Sequence, residues 1–230
     1  MPTAQLPGAP PVEITLRRSA RARRYSLRVS QLDGRVTLTL PRGAPLDEGM
    51  AFAREKAGWI RAQLAAQPAV APVEIGGAVP FEGATLPIVA ARRRGVALIG
   101  GQLEVPDDPG RVGPRVQVFL KEQARGRLAA ASDRHAAALG RDYGRLTLRD
   151  TRSRWGSCSS RGDLMYSWRL VMAPPEVLDY VVAHEVAHLA EMNHSPAFWA
   201  LVERLCPGHR APRAWLRAHG ALLHRVRFGD

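Results

Sequence analysis

Alternating apolar and polar positions run through the first part of the chain and predict several short strands. VEITLRR, RYSLRVS and RVTLTLP alternate with a period of two, and Leu32–Gly34 has the composition of a hairpin turn. One helix is predicted next, because apolar residues recur at helical spacing on one face: Met50, Ala53, Ala57, Ile60 and Leu64. The proline-flanked stretch Pro68–Pro72 ends this helical pattern.

Short β-like segments punctuated by glycine and proline continue from Val73 to Val105, and Asp107–Pro114 has the composition of a linker. The sequence therefore predicts a disordered N-terminus over residues 1–12, which are rich in proline and alanine. A β-rich N-terminal region with one helix is predicted over residues 13–113, and a separate domain over residues 114–230. No internal repeat is visible in the sequence.

The last hundred residues combine helical and strand-like patterns. A long helix is predicted from Arg115 to Gly140, which is a suitable left-handed stop, and three short strands are predicted within 145–172. A helix then follows, with Pro175 in its first turn and Asn193 as its stop, and Ser195 and the proline after it begin another helix. These patterns predict an α+β fold.

Composition narrows the class of protein. The chain of 230 residues is 46% apolar and 23% charged, which is typical of a globular protein. It contains no apolar run of about 18 residues and no charged and apolar leader at its start, and its two cysteines, Cys158 and Cys206, are isolated. These features favour a cytoplasmic protein without a disulfide framework.

The chain has a formal net charge of +12. One local cluster of arginines contains no acidic residue. Its members are Arg17, Arg18, Arg21, Arg23 and Arg24. Such a cluster can contact phosphates, so DNA is a candidate partner through these five residues. The alternative is a solvated basic hairpin, since 31 of the 33 basic residues in this chain are arginine.

The clearest chemical signal is HEVAH, which has the HExxH spacing. On a helix, His184 and His188 lie four residues apart on one face, with their Cβ atoms about 6 Å apart, as two ligands of one zinc ion require. Glu185 lies about 100° around the helix and can take a proton from a water activated by the metal. Because the flanking residues are apolar or small, unpaired polar groups in this helix would be costly.

A third ligand is needed if the site is catalytic, since catalytic zinc usually has three protein ligands and one open position. His194 is the predicted third ligand, because it lies in a turn that would bring it back towards the helix face. Glu191 and Glu203 are the alternatives. The HExxHxxGxxH pattern of other metalloproteases is disfavoured, since Glu191 occupies the position of its glycine.

The segments RWGSCS, DYVVAHEVAHL and NHSPAFW together resemble the YgjP-like, SprT-like zinc metallopeptidases of bacteria. The resemblance extends from about Glu13 to Leu223. It implies a zincin-like fold of minimal gluzincin type, in which the active-site helix packs on a small antiparallel sheet. It also implies that zinc binds to His184, His188 and His194, and that Glu185 is the general base. Many relatives have asparagine at the position of Ser167, so no role is transferred to that residue.

The RWGSC segment is the predicted substrate-binding element, through Arg154, Trp155 and Gly156. In folds of this type a strand edge beside the metal helix aligns the substrate peptide, and Thr151–Cys158 and Leu164–Leu170 are the candidate edges. The alternative is that Trp155 and Gly156 only pack beneath the helix. The candidates for stabilising the oxyanion are Arg154, Tyr143, Tyr166 and His209, the last being otherwise an ordinary surface histidine.

The sequence thus predicts a cytoplasmic zinc-dependent metallopeptidase that hydrolyses peptide bonds of a protein or peptide substrate. One alternative is a basic nucleic-acid-associated protein with a structural metal site, and another is a protease that acts on DNA-bound proteins. Structural zinc sites usually have four ligands and are rich in cysteine, whereas three histidines leave one position open. That difference favours the enzyme.

Overall fold

The computed structural model describes residues 2–30, 33–66 and 72–229. The chain forms two compact units, Met1–Ala69 and Val70–Asp230, each with its own hydrophobic core. Both units combine small sheets with helices, which confirms the predicted α+β class. Residue 32 of the predicted hairpin turn, and most of the predicted break at Pro68–Pro72, lie outside the described residues.

The first unit is a four-stranded sheet with two helices. Its elements are β1 Thr3–Leu6, β2 Val12–Ser19, β3 Ser26–Val29, β4 Val36–Pro41, α1 Leu46–Glu55 and α2 Ala57–Ala65. The strand order is β1-β2-β4-β3, with β2 and β4 parallel and the other neighbours antiparallel. Strand alternation directs Ile14 and Leu38 to one face, where they share a core with Ala53 and Ile60 of the helices.

The described residues near the start of the chain include a paired strand, whereas the sequence predicted disorder over residues 1–12. Thr3–Leu6 pairs with β2, and the Leu6 side chain is only 1% exposed. Arg61 holds the loop that follows, because its guanidinium donates hydrogen bonds to the carbonyls of Pro7 and Pro10, each at 2.8 Å. The composition of the segment did not reveal these contacts, since they depend on a partner strand and on Arg61, which is more than 50 positions away.

The first unit also has two helices where the sequence predicted one. The helical path is interrupted at Lys56, whose φ and ψ are −91° and 11°. Apolar spacing continues across this residue, so the periodicity alone predicted an unbroken helix.

The second unit begins with a sheet that has the same topology as the sheet of the first unit. Its strands are β5 Ala78–Phe81, β6 Ala84–Ala91, β7 Ala97–Ile99 and β8 Gln102–Pro106. Their order is β5-β6-β8-β7, with the central pair parallel and both outer pairs antiparallel. The sequence showed no repeat. Two sheets can share a topology when their apolar residues alternate and their turns follow in the same order, and different residues can satisfy this pattern.

The helix α3 (Val112–Leu139) packs on this sheet, and the two elements share one core. Ile88 and Leu103 of the sheet, and Val116 and Leu120 of the helix, are all fully buried in it. For this reason the compact units divide between residues 69 and 70, whereas the sequence predicted a boundary between residues 113 and 114. The predicted end of the helix agrees with the structure, where Gly140 has a φ of 70°.

A second sheet of this unit has three strands: β9 Leu146–Arg149, β10 Gly156–Cys158 and β11 Leu164–Ser167. Its order is β10-β11-β9. The β10 and β11 strands are antiparallel, but β11 and β9 are parallel, so the predicted antiparallel sheet is wrong for one of its two pairs. The β11 strand lies between β9 and β10, so β9 and β10 are consecutive in the chain but are not neighbours in the sheet.

A short 3₁₀ helix, Trp168–Met172, leads from this sheet to three helices: α4 Pro175–Ala187, α5 Pro196–Leu205 and α6 Arg210–Leu223. The α4 helix ends six residues before the predicted stop at Asn193, although His188 still has helical φ and ψ of −66° and −15°. No helix in the described part of the chain is both long and apolar enough to cross a membrane.

Arg169, which is buried in the 3₁₀ helix, joins three distant segments of the second unit. Its Nε and Nη2 atoms donate to the two carboxylate oxygens of Asp150, just after β9, at 2.7 and 3.1 Å. Its Nη1 atom donates to the carbonyls of Leu223 and Val226 at 2.8 and 3.3 Å. Burial raises the pKa of Asp150, but the hydrogen bonds and charge of Arg169 outweigh burial and lower it. The end of α6 is thereby fixed to the sheet that carries β10.

We expect Arg169→Ala to lower the free energy of unfolding by about 3 kcal/mol, because it leaves a partly buried carboxylate and two carbonyls without their donor. Urea denaturation followed by tryptophan fluorescence measures this, since four of the five tryptophans lie in the second unit. Arg134→Ala is the control, because its ion pair with Asp179 is exposed and contributes at most about 1 kcal/mol. Equal losses in the two variants would contradict the role given to Arg169.

Candidate metal centre

The α4 helix presents two of the predicted site histidines at one end. The ring centroids of His184 and His188 are 5.1 Å apart and the rings are nearly perpendicular. The helix is apolar and almost wholly buried, with Val182, Ala183 and Val186 all fully covered. The spacing of four residues therefore places two imidazoles side by side at the edge of a packed core.

His194 comes from the loop between α4 and α5, and the start of α5 fixes this loop. The Ser195 hydroxyl accepts a hydrogen bond from the backbone N–H of Phe198 at 3.2 Å, and Pro196 occupies the first helical position. The His194 ring then lies 5.0 and 4.9 Å from the rings of His184 and His188. One potential ligand atom from each of the three histidines lies within 4.8 Å of the others.

The geometry and chemistry of these three imidazoles fit a zinc ion. Zinc–nitrogen bonds of about 2.0–2.1 Å at tetrahedral angles separate two ligand nitrogens by roughly 3.3 Å. The Nε2 atoms of His184 and His194 are 3.1 Å apart. Burial, with the charges of His188 and His194, lowers the pKa of His184 to about 3, and burial lowers the pKa of His194 as well. Both rings therefore stay neutral, as metal ligation requires.

A hydrogen bond orients the ring of His188. Its Nδ1 atom lies 2.9 Å from the backbone carbonyl of Glu191, so the proton is assigned to Nδ1 and the Nε2 lone pair is free for a metal. His184 has no such partner within the described residues, since its buried Nδ1 atom makes no hydrogen bond. Aromatic rings enclose it instead: Tyr180, Phe198 and Trp199 lie 4.9–6.0 Å from it.

The two glutamates that rivalled His194 as the third ligand are placed differently. Glu191 contributes its backbone carbonyl to His188, and the Glu203 carboxylate lies 3.1 Å from Nε2 of His209. Among the described residues, the three histidines are the one group of three or more potential ligand side chains whose atoms converge.

Glu185 is buried beside the histidines, with 7% of its surface exposed. Burial raises its pKa to about 7, while the charge of Arg154 and a hydrogen bond from the backbone N–H of Cys158 act in the opposite direction. A carboxyl group with this pKa can exchange a proton readily near neutral pH. The site thus combines three converging imidazoles with one buried carboxyl group able to accept and donate a proton.

Gly156 of β10 makes room for the Glu185 carboxyl group. A Cβ atom added to Gly156 would lie 2.6 Å from Cγ and 2.7 Å from Oε1 of Glu185, closer than real Cβ contacts. The RWGSC segment therefore contributes a backbone without a side chain at Gly156, against which Glu185 packs. Two residues later, the backbone N–H of Cys158 donates a hydrogen bond to the same carboxyl group.

The other residues of this segment have separate surroundings. Trp155 packs against His224, with ring centroids 4.9 Å apart, and against Gly220 of α6. Arg154 is exposed, and its charge acts on Glu185. Of the candidate edges, β11 is paired on both sides and leaves no free edge, whereas β10 is an edge strand.

The structure separates the remaining candidates for oxyanion stabilisation. Tyr166 is fully buried, with its hydroxyl 3.3 Å from the hydroxyl of Ser132, and the Tyr143 hydroxyl bonds to Asp133. His209 is 6% exposed and stacked between Tyr180 and Trp199, so an ordinary surface position is wrong for it. No sequence pattern indicated this aromatic enclosure, because its members come from α4, from α5 and from the residue that precedes α6.

The five arginines predicted to contact DNA lie in the first unit, on the end of β2 and the loop that follows it. All five are exposed. Arg18 is already engaged, since its Nη1 atom donates to the carbonyls of Arg42 and Ala44 at 3.0 and 2.9 Å.

Comparison with known proteins identifies the family of this chain. Among curated proteins no relative matches the chain. The crystal structure of the metallopeptidase zymogen of Pyrococcus abyssi abylysin is 23% identical and is aligned over 44% of this chain and 99% of that chain. Its TM-score of 0.37 is too low to equate the two folds. The model of the YgjP-like metallopeptidase domain matches residues 23–219, so the chain belongs to the YgjP-like metallopeptidase family.

Proposed function

We propose that this chain is a zinc-dependent endopeptidase in which His184, His188 and His194 hold the metal and Glu185 is the general base. One observation carries the proposal: potential ligand nitrogens of three histidines converge at the end of the helix that also carries the buried carboxyl group of Glu185. The family to which the chain belongs supports peptide-bond hydrolysis as the reaction.

A catalytic role suits this donor set better than a structural one. Three histidine ligands leave a fourth position open, whereas structural zinc sites usually have four protein ligands and several cysteines. Access is also one-sided, because His188 is buried while His194 is exposed. A substrate can approach from the side of His194.

The protein residues divide the reaction between them. A zinc ion held by the three histidines would supply Lewis acidity, which would acidify water and polarise the scissile carbonyl. Glu185 takes the proton from the attacking water and then passes it to the leaving amine. Burial of Glu185 also keeps bulk water from competing as a proton acceptor.

We further propose that β10 aligns the substrate backbone. The N–H groups of Ser159 and Ser167 donate to the carbonyls of Asp163 and Trp155 across the β10–β11 pair. Because hydrogen-bonded and non-hydrogen-bonded pairs alternate in an antiparallel ladder, the backbone polar groups at positions 156 and 158 face away from β11. Gly156 and Cys158 therefore point their polar groups towards the free edge, and the N–H of Cys158 is taken by Glu185. The backbone of Gly156 is left to pair with an extended peptide.

The proposed partner is a protein or peptide, and the DNA hypothesis has no comparable support. Arg18 is occupied by backbone carbonyls, and the other four arginines of the cluster are solvated side chains in the first unit.

We expect His194→Ala to weaken zinc binding by about 100-fold or more, because it removes one of three protein ligands. Competition with a chromophoric chelator measures the dissociation constant. His219→Ala is the matched control, since His219 is an exposed histidine of α6 whose Nδ1 contacts only its own helix. If His194→Ala retains its affinity and Glu203→Gln loses it, Glu203 is the third ligand instead.

We expect Glu185→Gln to keep stoichiometric zinc but to lower cleavage of an unfolded protein by about 100-fold or more, since the amide cannot accept the proton. Mass-spectrometric metal analysis and a fluorescent casein assay give the two readouts. Glu176→Gln, at an exposed position of the same helix, serves as the control and should retain both properties. Wild-type protein that purifies without bound zinc and gains none on titration would refute the site.

We expect Gly156→Ala to lower kcat by about tenfold or more with zinc content unchanged, because the new methyl group displaces the Glu185 carboxyl group. The same two assays apply. Gly126→Ala is the control, since a Cβ added at that helical glycine meets nothing within 4 Å. Full activity of Gly156→Ala would show that Glu185 does not need its observed position.

A further inference from the structure

Arg213 of α6 lies over the indole ring of Trp199, with its guanidinium carbon 4.5 Å from the ring centroid. The indole is itself held in place, because the buried ring of His209 stacks on it at 5.5 Å and an angle of 20°. His209 is fixed in turn by the Glu203 carboxylate at 3.1 Å from its Nε2 atom. A cation–π contact on a fixed ring restricts where an exposed arginine can lie.

This arrangement sets the guanidinium beside the metal centre. The Trp199 ring is 5.7 Å from the ring of His184 and 6.0 Å from that of His194. Arg213 is also one of the charges that lower the pKa of both histidines, which agrees with this proximity. A positive charge therefore lies next to the exposed side of the triad.

Arg213 has no anionic partner in the described parts of the chain, where no ion pair or hydrogen bond of its guanidinium occurs. By contrast, Arg127, Arg134 and Arg169 each pair with an acidic side chain. A planar guanidinium that is held by stacking keeps its N–H donors free for a carboxylate, which it can bind with two parallel hydrogen bonds.

We propose that Arg213 is a specificity-determining residue that binds a carboxylate of the peptide substrate close to the scissile bond. The inference rests on the proposed peptidase function and names its substrate class as acidic peptides. The carboxylate can come from an aspartate or glutamate side chain or from the C-terminus of a short peptide, and the two sources share the chemistry that Arg213 recognises.

The test uses the full-length zinc-loaded protein and pairs of quenched fluorescent peptides. In one arm each position near the scissile bond in turn is glutamate or glutamine, and in the other the peptide ends in a free carboxylate or an amide. We expect wild type to show a ratio of kcat/KM of about tenfold in favour of the acidic member in one arm. Arg213→Gln should reduce that ratio to about one.

Arg217→Gln is the matched control, because Arg217 is an exposed arginine one turn further along the same helix and should keep the wild-type ratio. Wild type that cleaves both members of every pair equally would overturn the inference while leaving the peptidase proposal intact. A ratio that survives in Arg213→Gln, or an equal fall for acidic and neutral peptides, would also overturn it. A wild type that binds zinc but cleaves nothing would instead count against the proposed function.

Discussion

The burial of Glu185 among the apolar residues at the end of α4 is the constraint on which the second unit depends. A carboxyl group and imidazoles inside a core are costly unless partners or a metal compensate them. The α4 helix is therefore surrounded by α3, β10, α5 and α6, which exclude water and supply specific contacts. The same burial produces the chemistry, because it raises the pKa of Glu185 to about 7 and, with the neighbouring histidines, keeps His184 neutral.

A chain of tight contacts connects the stability of this unit to the position of its reactive group. Arg169 fixes the end of α6 through two backbone carbonyls, and α6 receives the Trp155 ring against Gly220. Trp155 directly precedes Gly156, whose bare Cα allows the Glu185 carboxyl group to approach. Since protein interiors are packed closely and deform little, a displacement of Arg169 or α6 would shift Trp155 and Gly156 as well.

Exposure increases across the site, from buried Glu185 and His188 through His184 to exposed His194 and Arg213. In the mechanism that we propose, proton transfer by Glu185 takes place in the buried part of the site and substrate recognition in the exposed part. The rings of Tyr180, Phe198 and Trp199 lie around His184, between the buried and the exposed parts of the site. They hold the His184 ring by packing, in place of a hydrogen bond.

The sequence by itself determined the helix with two histidines four residues apart, the glutamate beside them and the restart at Ser195, because helical geometry and capping are local. It also indicated the α+β class. Only the tertiary structure decided the paired N-terminal strand, the shared topology of the two sheets, the parallel pairing of β9 and the division between residues 69 and 70, since these depend on contacts between distant segments. For the same reason, the contact of Gly156 with Glu185 and the stacking of Trp199 between His209 and Arg213 became visible only in three dimensions.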